Sequence, residues 1–216
     1  VRNAQTIAVQ TVVVGIGAIG MCFVIVSGGI DLSIGSVIAL ASVTGALTLD
    51  AGHPPTAALA VSAGTGMACG LLNGGLVTAL RIPPFIVTLG MLGIARGLAK
   101  LLAGNQRIAP PPESVGWLED FVDKTPEPTW LMMAPAAWCL LATAVIAGLV
   151  LRRTPFGIHV VAIGSSEQTA RLCGVAVRRT KIVVYVLCGL GAGLAGAITL
   201  GRLGVGDPTT AVGLEL

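Results

Sequence analysis

The carboxylate with the most unusual setting is Asp31. It lies in the string Ser27-Gly28-Gly29-Ile30-Asp31-Leu32-Ser33-Ile34-Gly35-Ser36, between two long apolar runs, and no other acid occurs before Asp50. An aspartate at the middle of a bilayer costs roughly 2.5–3.5 kcal/mol on insertion scales. Such a group caps a helix, faces a water-filled path or sits near the interface. The plainest reading is a capped turn, with Asp31 as the N-cap of the run that follows and Ser33 beside it. Asn73, within another apolar run, either bonds across helices or lines a path.

Other chemistry finds little support. His53 and His159 are isolated, and neither stands near a nucleophile. Cys22, Cys69, Cys139, Cys173 and Cys188 are scattered, form no Cys-x-x-Cys or Cys/His cluster, and read as small apolar fillers. The glycine-rich string that cradles nucleotide phosphates is absent from the sequence. No catalytic residue, no metal site and no cofactor bound by this chain are expected.

The elements that must carry these residues follow from composition. The mean hydropathy is +0.90. Hydrophobic residues make up 54% of the chain and charged residues 11%, against roughly 25% charged in a soluble domain. So few charges would hardly cover the surface of a soluble protein of 216 residues. The net charge of +3 comes without basic clusters interleaved with aromatics, so no nucleic acid is expected as a partner. A bilayer core of roughly 30 Å takes about 20 apolar residues of helix. Six such segments are predicted, at about 7–26, 32–49, 55–80, 83–103, 129–151 and 182–200. They are continuously apolar rather than alternating, which favours helices over a membrane barrel. The expected fold is all-α, a polytopic transmembrane helical bundle, with residues 1–216 as one membrane-spanning domain. Pro55 and the pair Pro83-Pro84 suit first helical turns. Gly66, Gly70 and Gly74 form a row four apart, as do Gly189 and Gly193, and each row permits close helix approach. Arg96 and Lys100 share a helical face and are expected to reach the headgroups, or to line an outer vestibule or meet a solute-binding protein.

Two polar loops set the orientation. Residues 104–128 hold five acids and two Lys/Arg, whereas residues 152–181 hold six Lys/Arg and the single acid Glu167. Basic loops lie on the cytoplasmic side, so 152–181 is expected inside and 104–128 in the periplasm. The chain begins with Val1 rather than Met and ends soon after a membrane segment. A longer protein is expected, with one more helix before Val1 and further helices after Leu216.

Three strings occur in order along the chain: Gly28-Gly29-Ile30-Asp31-Leu32-Ser33; Pro83-Pro84-Phe85-Ile86-Val87-Thr88-Leu89-Gly90; and the loop from Arg153-Thr154-Pro155-Phe156-Gly157 through Ser165-Ser166-Glu167-Gln168-Thr169-Ala170-Arg171-Leu172-Cys173-Gly174-Val175. Together they resemble the permeases of bacterial ABC importers for ribose, xylose and galactose. The resemblance covers essentially the whole chain. It implies an inner-membrane subunit that moves a monosaccharide by alternating access. Its partners would be a separate ABC ATPase that binds the ATP, a periplasmic solute-binding protein, a second permease subunit (a homodimer is expected) and membrane lipid. Candidates for the translocation path or its gate are Asp31, Ser33, Asn73, Phe85 and Thr88.

Within the basic loop, Ser165 and Gln168 have the spacing of a capping box, and Gly174 suits a helix stop. The helix between them, residues 166–173, spans about two turns and is too short to stand alone in water. It resembles the coupling helix by which such permeases contact their ATPase. That assigns coupling to Ser166, Glu167, Thr169, Ala170, Arg171 and Gly174, with Glu167 and Arg171 placed to pair across one turn. The alternative within the same class is an ABC permease for a nucleoside or branched-chain amino acid. Outside it stand an ion-coupled secondary transporter, which predicts carboxylates within helices, and a membrane subunit with no pathway.

Overall fold

The computed structural model describes residues 2–122 and 134–213; expectations that fall on residues 1, 123–133 and 214–216 lie outside them. Ten helices are described: α1 (Arg2–Val26), α2 (Ile34–Asp50), α3 (Pro55–Leu80), α4 (Pro84–Leu102), α5 (Pro112–Val115), α6 (Trp117–Val122), α7 (Pro135–Arg153), α8 (Pro155–Ser165), α9 (Glu167–Leu172) and α10 (Val177–Leu203). Among the described residues the only β-type pairing is an isolated bridge between Ile108 and Gly206. The all-α polytopic fold is as expected. α3, α4, α7 and α8 each begin with proline in the first turn, where its missing N–H costs nothing.

Five helices, α1, α3, α4, α7 and α10, are long and apolar enough to cross a membrane. The sixth expected segment is α2, which has 17 residues and falls short of that length. It starts inside the bundle rather than at an end, because its first turn lies against the middle of α3 and α10.

α10 is the axis of the bundle. Gly66 of α3 faces Gly189 and Gly193, Gly70 faces the carbonyl of Tyr185, and Gly74 faces Ile182. Numbers rise on one helix as they fall on the other, so α3 and α10 are antiparallel, and their backbones touch. α1 meets a second side, where Gly20 lies against Cys188 and Gly191 against the Ile16 carbonyl. α2 takes a third, where Gly196 lies against Ile38 and Ala41. Val184, Ala192, Ala195 and Leu200 of α10 are buried as a result. By contrast α4 and α7 turn large apolar side chains outward, among them Leu89, Ile94, Leu141, Val145 and Ile146. An outer belt of that kind suits lipid rather than water.

The two polar loops carry more structure than expected. In the acidic loop, Val115 of α5 and Leu118 of α6 pack with Leu49, Ala58 and Leu200 over one end of the bundle. In the basic loop, α8 precedes the short helix that the sequence suggests. Thr154 caps α8 by accepting a hydrogen bond from the Gly157 N–H at 3.2 Å.

The glycine contacts predict an asymmetric response on α3. A methyl group on Gly70 would run into the Tyr185 backbone, whereas one on Gly75 would meet nothing. Gly70→Ala should therefore destabilise the bundle by about 1–3 kcal/mol or more, and Gly75→Ala should leave it unchanged. Thermal aggregation midpoints of the two variants in detergent measure this; equal midpoints would sink the backbone-contact account.

Candidate functional site

The turn between α1 and α2 is a break in regular structure inside an apolar bundle, so its polar groups need partners. Asp31 supplies the first. Its Oδ1 accepts hydrogen bonds from the Ser33 N–H at 2.8 Å and the Ser33 hydroxyl at 2.6 Å. Asp31 is thus not the N-cap itself, as the sequence suggested. Ser33 holds that position, makes no side-chain cap bond of its own, and is held by Asp31. Asn73 reaches across from α3 and donates from Nδ2 to the Ser33 Oγ at 3.0 Å. Of the two readings of Asn73, the structure places it in the cross-helix bond. The Tyr185 hydroxyl donates to the Ile30 carbonyl at 3.5 Å, and the Thr88 hydroxyl, whose shortest acceptor is the Pro84 carbonyl at 3.1 Å, lies 3.3 Å from the same Ile30 oxygen. Gly28 is left-handed, with φ 77°, and lies against Gly164 of α8.

Four of the five path candidates therefore converge. Asp31 is 3% exposed, Ser33 1%, Asn73 1% and Thr88 0%. Phe85 does not join them and faces outward, 48% exposed. Cys188 of α10 and Gly70 of α3 complete the wall of a void of about 10 Å³ beside Asp31 and Asn73. That is room for about one water molecule and no solute. The Oδ1 of Asn73 is buried with no partner among the described atoms. The cluster is a polar knot that fastens α1, α2, α3, α4 and α10 at one level. Cys188 is about 16 Å along α10 from its start, so this level lies inside the bundle. Among the described residues no three His, Cys, Asp or Glu side chains converge as metal ligands would.

The second group of candidates lies on α9. Ser166 is the N-cap, and its Oγ accepts from the Thr169 N–H at 3.2 Å. The capping box expected at Ser165 and Gln168 is therefore displaced by one residue, because Ser165 belongs to the last turn of α8. Gly174 ends the helix in the left-handed region at φ 81°, and the Val175 N–H bonds back to the Ala170 carbonyl at 3.0 Å. Ala170 is buried with Ile163 and Val177, so it seats α9 on its own bundle. Glu167 pairs with Arg171 at 2.9 Å, as the spacing suggested, and also with Lys181 of α10 at 2.6 Å. The hydrogen bond from Lys181, helped by Arg171, holds the Glu167 carboxyl below the usual range despite partial burial. Leu172 is 89% exposed, which leaves an apolar side chain on the outer face of α9.

The opposite end holds a third group that the sequence did not reveal. Arg96 of α4 donates from Nη1 to the carbonyls of Pro208 at 2.9 Å and Thr210 at 2.7 Å. It anchors the chain after α10 and does not run out to headgroups, which corrects the expectation for it. Arg107 pairs with Asp207 at 2.9 Å. Burial pushes the Asp207 carboxyl up, but the Thr209 hydrogen bonds and Arg107 outweigh it and leave it lowered. Ile108 and Gly206 exchange two backbone hydrogen bonds alongside. Signals for these contacts were faint, since the partners are about 100 residues apart and two of the acceptors are backbone carbonyls.

The family described as branched-chain amino acid transport system / permease component matches residues 3–216. The chain is 38% identical over 205 residues to the L-arabinose transport system permease protein of Escherichia coli (strain K12), covering 94% of this chain and 60% of that protein. It is 34% identical over 225 residues to the ribose import permease protein of the same strain, covering 100% and 66%. Against the autoinducer 2 import system permease protein of Photorhabdus laumondii it is 33% identical over 202 residues, covering 92% and 58%. The chain thus spans about 60% of the length of such relatives. No solved structure matches it.

The knot makes a specific prediction for Asp31. Asp31→Asn keeps an acceptor for the Ser33 N–H and hydroxyl, and should cost less than about 1 kcal/mol. Asp31→Leu strands both donors in a buried site, at about 1–3 kcal/mol each. Thermal unfolding midpoints in detergent compare them, and a leucine variant as stable as the asparagine one would remove Asp31 from the turn's support.

Proposed function

This chain belongs to the branched-chain amino acid transport system / permease component family, and on that premise we propose that it is the membrane-spanning part of a permease subunit in an ATP-driven ABC importer. The solute is a monosaccharide of the ribose or xylose type. The subunit sits in the bacterial inner membrane, with the basic loop 152–181 in the cytoplasm and the acidic loop 104–128 in the periplasm. A periplasmic binding protein delivers the sugar, and two permease subunits enclose the path. The two ATPase subunits hydrolyse the ATP, so this chain carries no catalysis. The names of relatives for L-arabinose and ribose import support a sugar. The family's description supports a second reading, a branched-chain amino acid; competition of labelled sugar uptake by leucine separates the two.

The observation that carries the proposal is α9. It is capped at both ends, seated by Ala170, and braced to α10 through the ion pair of Glu167 and Lys181. A helix of six residues has no stability of its own. It holds its shape only on this bundle, with Leu172 turned outward. An ATPase that binds the inward- and outward-open states unequally shifts the balance between them. Displacement of α9 is passed to α10 by the brace, and α10 touches α1, α2 and α3 along its backbone. Asp31, Ser33, Asn73 and Thr88 act as the fixed point of the gate rather than as a solute site, while Phe85 lies on the outer face.

Gly174→Val tests the coupling. No atom crowds that position, so the change acts only through the left-handed φ of 81°. The variant should reach the membrane at normal abundance, and its capture of the ATPase and its uptake should both fall at least about tenfold. Full uptake with normal ATPase recovery would place coupling elsewhere. Orientation has a separate test. In a background without native cysteines, an impermeant thiol reagent on intact cells should label Glu119→Cys and spare Arg179→Cys; the reverse pattern would invert the topology.

A further inference from the structure

The basic end holds a cleft of about 730 Å³ where the end of α3, the start of α4, α9 and the first turn of α10 meet. Arg81, Arg171, Arg178 and Lys181 line it against the single carboxylate of Glu167. A second cavity of about 460 Å³ shares Arg81, Arg171 and Arg178, and adds Arg179. Glu167 engages Arg171 and Lys181, and no hydrogen bond or ion pair among the described residues engages Arg81 or Arg178. The cleft therefore has an uncompensated positive charge.

The rest of the wall is partly apolar, and Leu172 of α9 borders it on the side proposed to meet the ATPase. Ile82, Pro83 and Val177 face the space, and next to it in the chain Leu80 and Phe85 are exposed, 60% and 48%. The cleft lies at the ends of three long apolar helices, the level at which a bilayer presents its headgroups. Arg81 itself adopts a left-handed backbone at φ 54° to end α3. Glycine or asparagine takes that conformation at less cost, and a strained arginine at a corner is a pointer to function. A ligand suited to this surface has a fixed negative head and an apolar body.

We propose that this cleft is a binding site for an anionic phospholipid, with its phosphate held by Arg81 and Arg178 and its acyl chains lying along the exposed face of α3 and α4. Basic pockets at the ends of membrane helices have the chemistry for such headgroups. The site gives Phe85 a lipid-facing place. It also puts a lipid headgroup beside α9, so that bound lipid would brace the helix proposed to meet the ATPase. Which leaflet it occupies rests on the orientation proposed above, but the binding itself does not.

The test uses the full-length permease purified in detergent and titrated with phosphatidylglycerol or phosphatidylcholine of equal chain length, with bound lipid read by native mass spectrometry. Phosphatidylglycerol should bind in preference to phosphatidylcholine. The double variant Arg81→Gln/Arg178→Gln should lose about 30-fold in phosphatidylglycerol affinity, roughly fivefold per arginine. Arg178→Gln alone leaves the turn at Arg81 untouched and should lose about fivefold. Arg81→Lys/Arg178→Lys should keep most of the affinity. Equal retention of phosphatidylglycerol by the wild type and the glutamine variants overturns the proposal. Displacement of the lipid by millimolar inorganic phosphate makes the cleft a free-anion site and also overturns it. Loss of ATPase capture with lipid binding unchanged assigns the cleft to the ATPase instead. Capture of the ATPase by the wild type is read on the same samples, so failure of the importer proposal shows independently of lipid binding.

Discussion

The contact on which the bundle depends is the backbone approach between α3 and α10. Between helices in lipid there is no hydrophobic drive to associate, because the solvent is as apolar as the side chains. Association comes from close packing, and close packing at the backbone requires glycine. Gly66, Gly70 and Gly74 on one helix and Gly189 and Gly193 on the other meet this requirement face to face. With α1 and α2 also touching α10, the axis helix cannot shift against one neighbour without disturbing the other two. A shift of α10 is therefore a shift of the group, whereas α9 lies outside these backbone contacts.

The polar knot follows from the same closeness. Because α2 begins within the bundle, the turn before it exposes a carbonyl, a backbone N–H and two serines to an apolar interior. Irregular backbone at that depth persists only when protein covers it. Tyr185 donates to the Ile30 carbonyl with the Thr88 hydroxyl within reach of it, Asp31 satisfies Ser33, and Asn73 comes from α3 to join them. Ion-coupled transport would ask Asp31 to face an accessible site. Instead its Oδ1 is committed to Ser33, and the void beside it holds about one water.

Much of the fold was legible because most of each long helix is one apolar run, closed by a charge or opened by proline, although α4 carries Arg96 and Lys100 and α10 starts with Arg178, Arg179 and Lys181 in its first turns. The glycine rows were legible because a period of four on a helix puts small residues in one line. What stayed hidden depended on depth and on tertiary contact. The run of α2 looks like a full crossing, and its shortness shows only once Asp31 is seen held inside the bundle. α8 lies in a loop read as polar, although the Thr154-Pro155 pair that starts it is a helix signal in its own right. The register of the α9 cap slipped by one residue because two serines are adjacent, and only the end of α8 decides between them. The local pattern around Arg96 is that of an amphipathic side chain running to the surface; its acceptors are carbonyls more than 100 residues away, which no local pattern encodes.

The two ends of the bundle differ in how they are fastened, and the difference bears on how a conformational signal would travel. At the acidic end, α5 and α6 pack on apolar side chains, a backbone bridge joins Ile108 to Gly206, and Arg96 holds the segment after α10 by two carbonyls. Those contacts are short, cooperative and distributed. At the basic end, α9 is held by the packing of Ala170 against Ile163 and Val177 and by one carboxylate shared between Arg171 and Lys181. Ion pairs that are part exposed contribute little, at most about 1 kcal/mol each. Under the proposed coupling, a partner docking on α9 would need only a modest binding difference to move it. Since Lys181 stands in the first two turns of α10, such a movement would enter the axis beside Ile182, where α10 already meets Gly74 of α3. It then meets the knot at Asp31, beyond which α10 is gripped on three sides. Under the proposed coupling, the Asp31 level is where a movement entering from Lys181 would reach α1, α2 and α3 together.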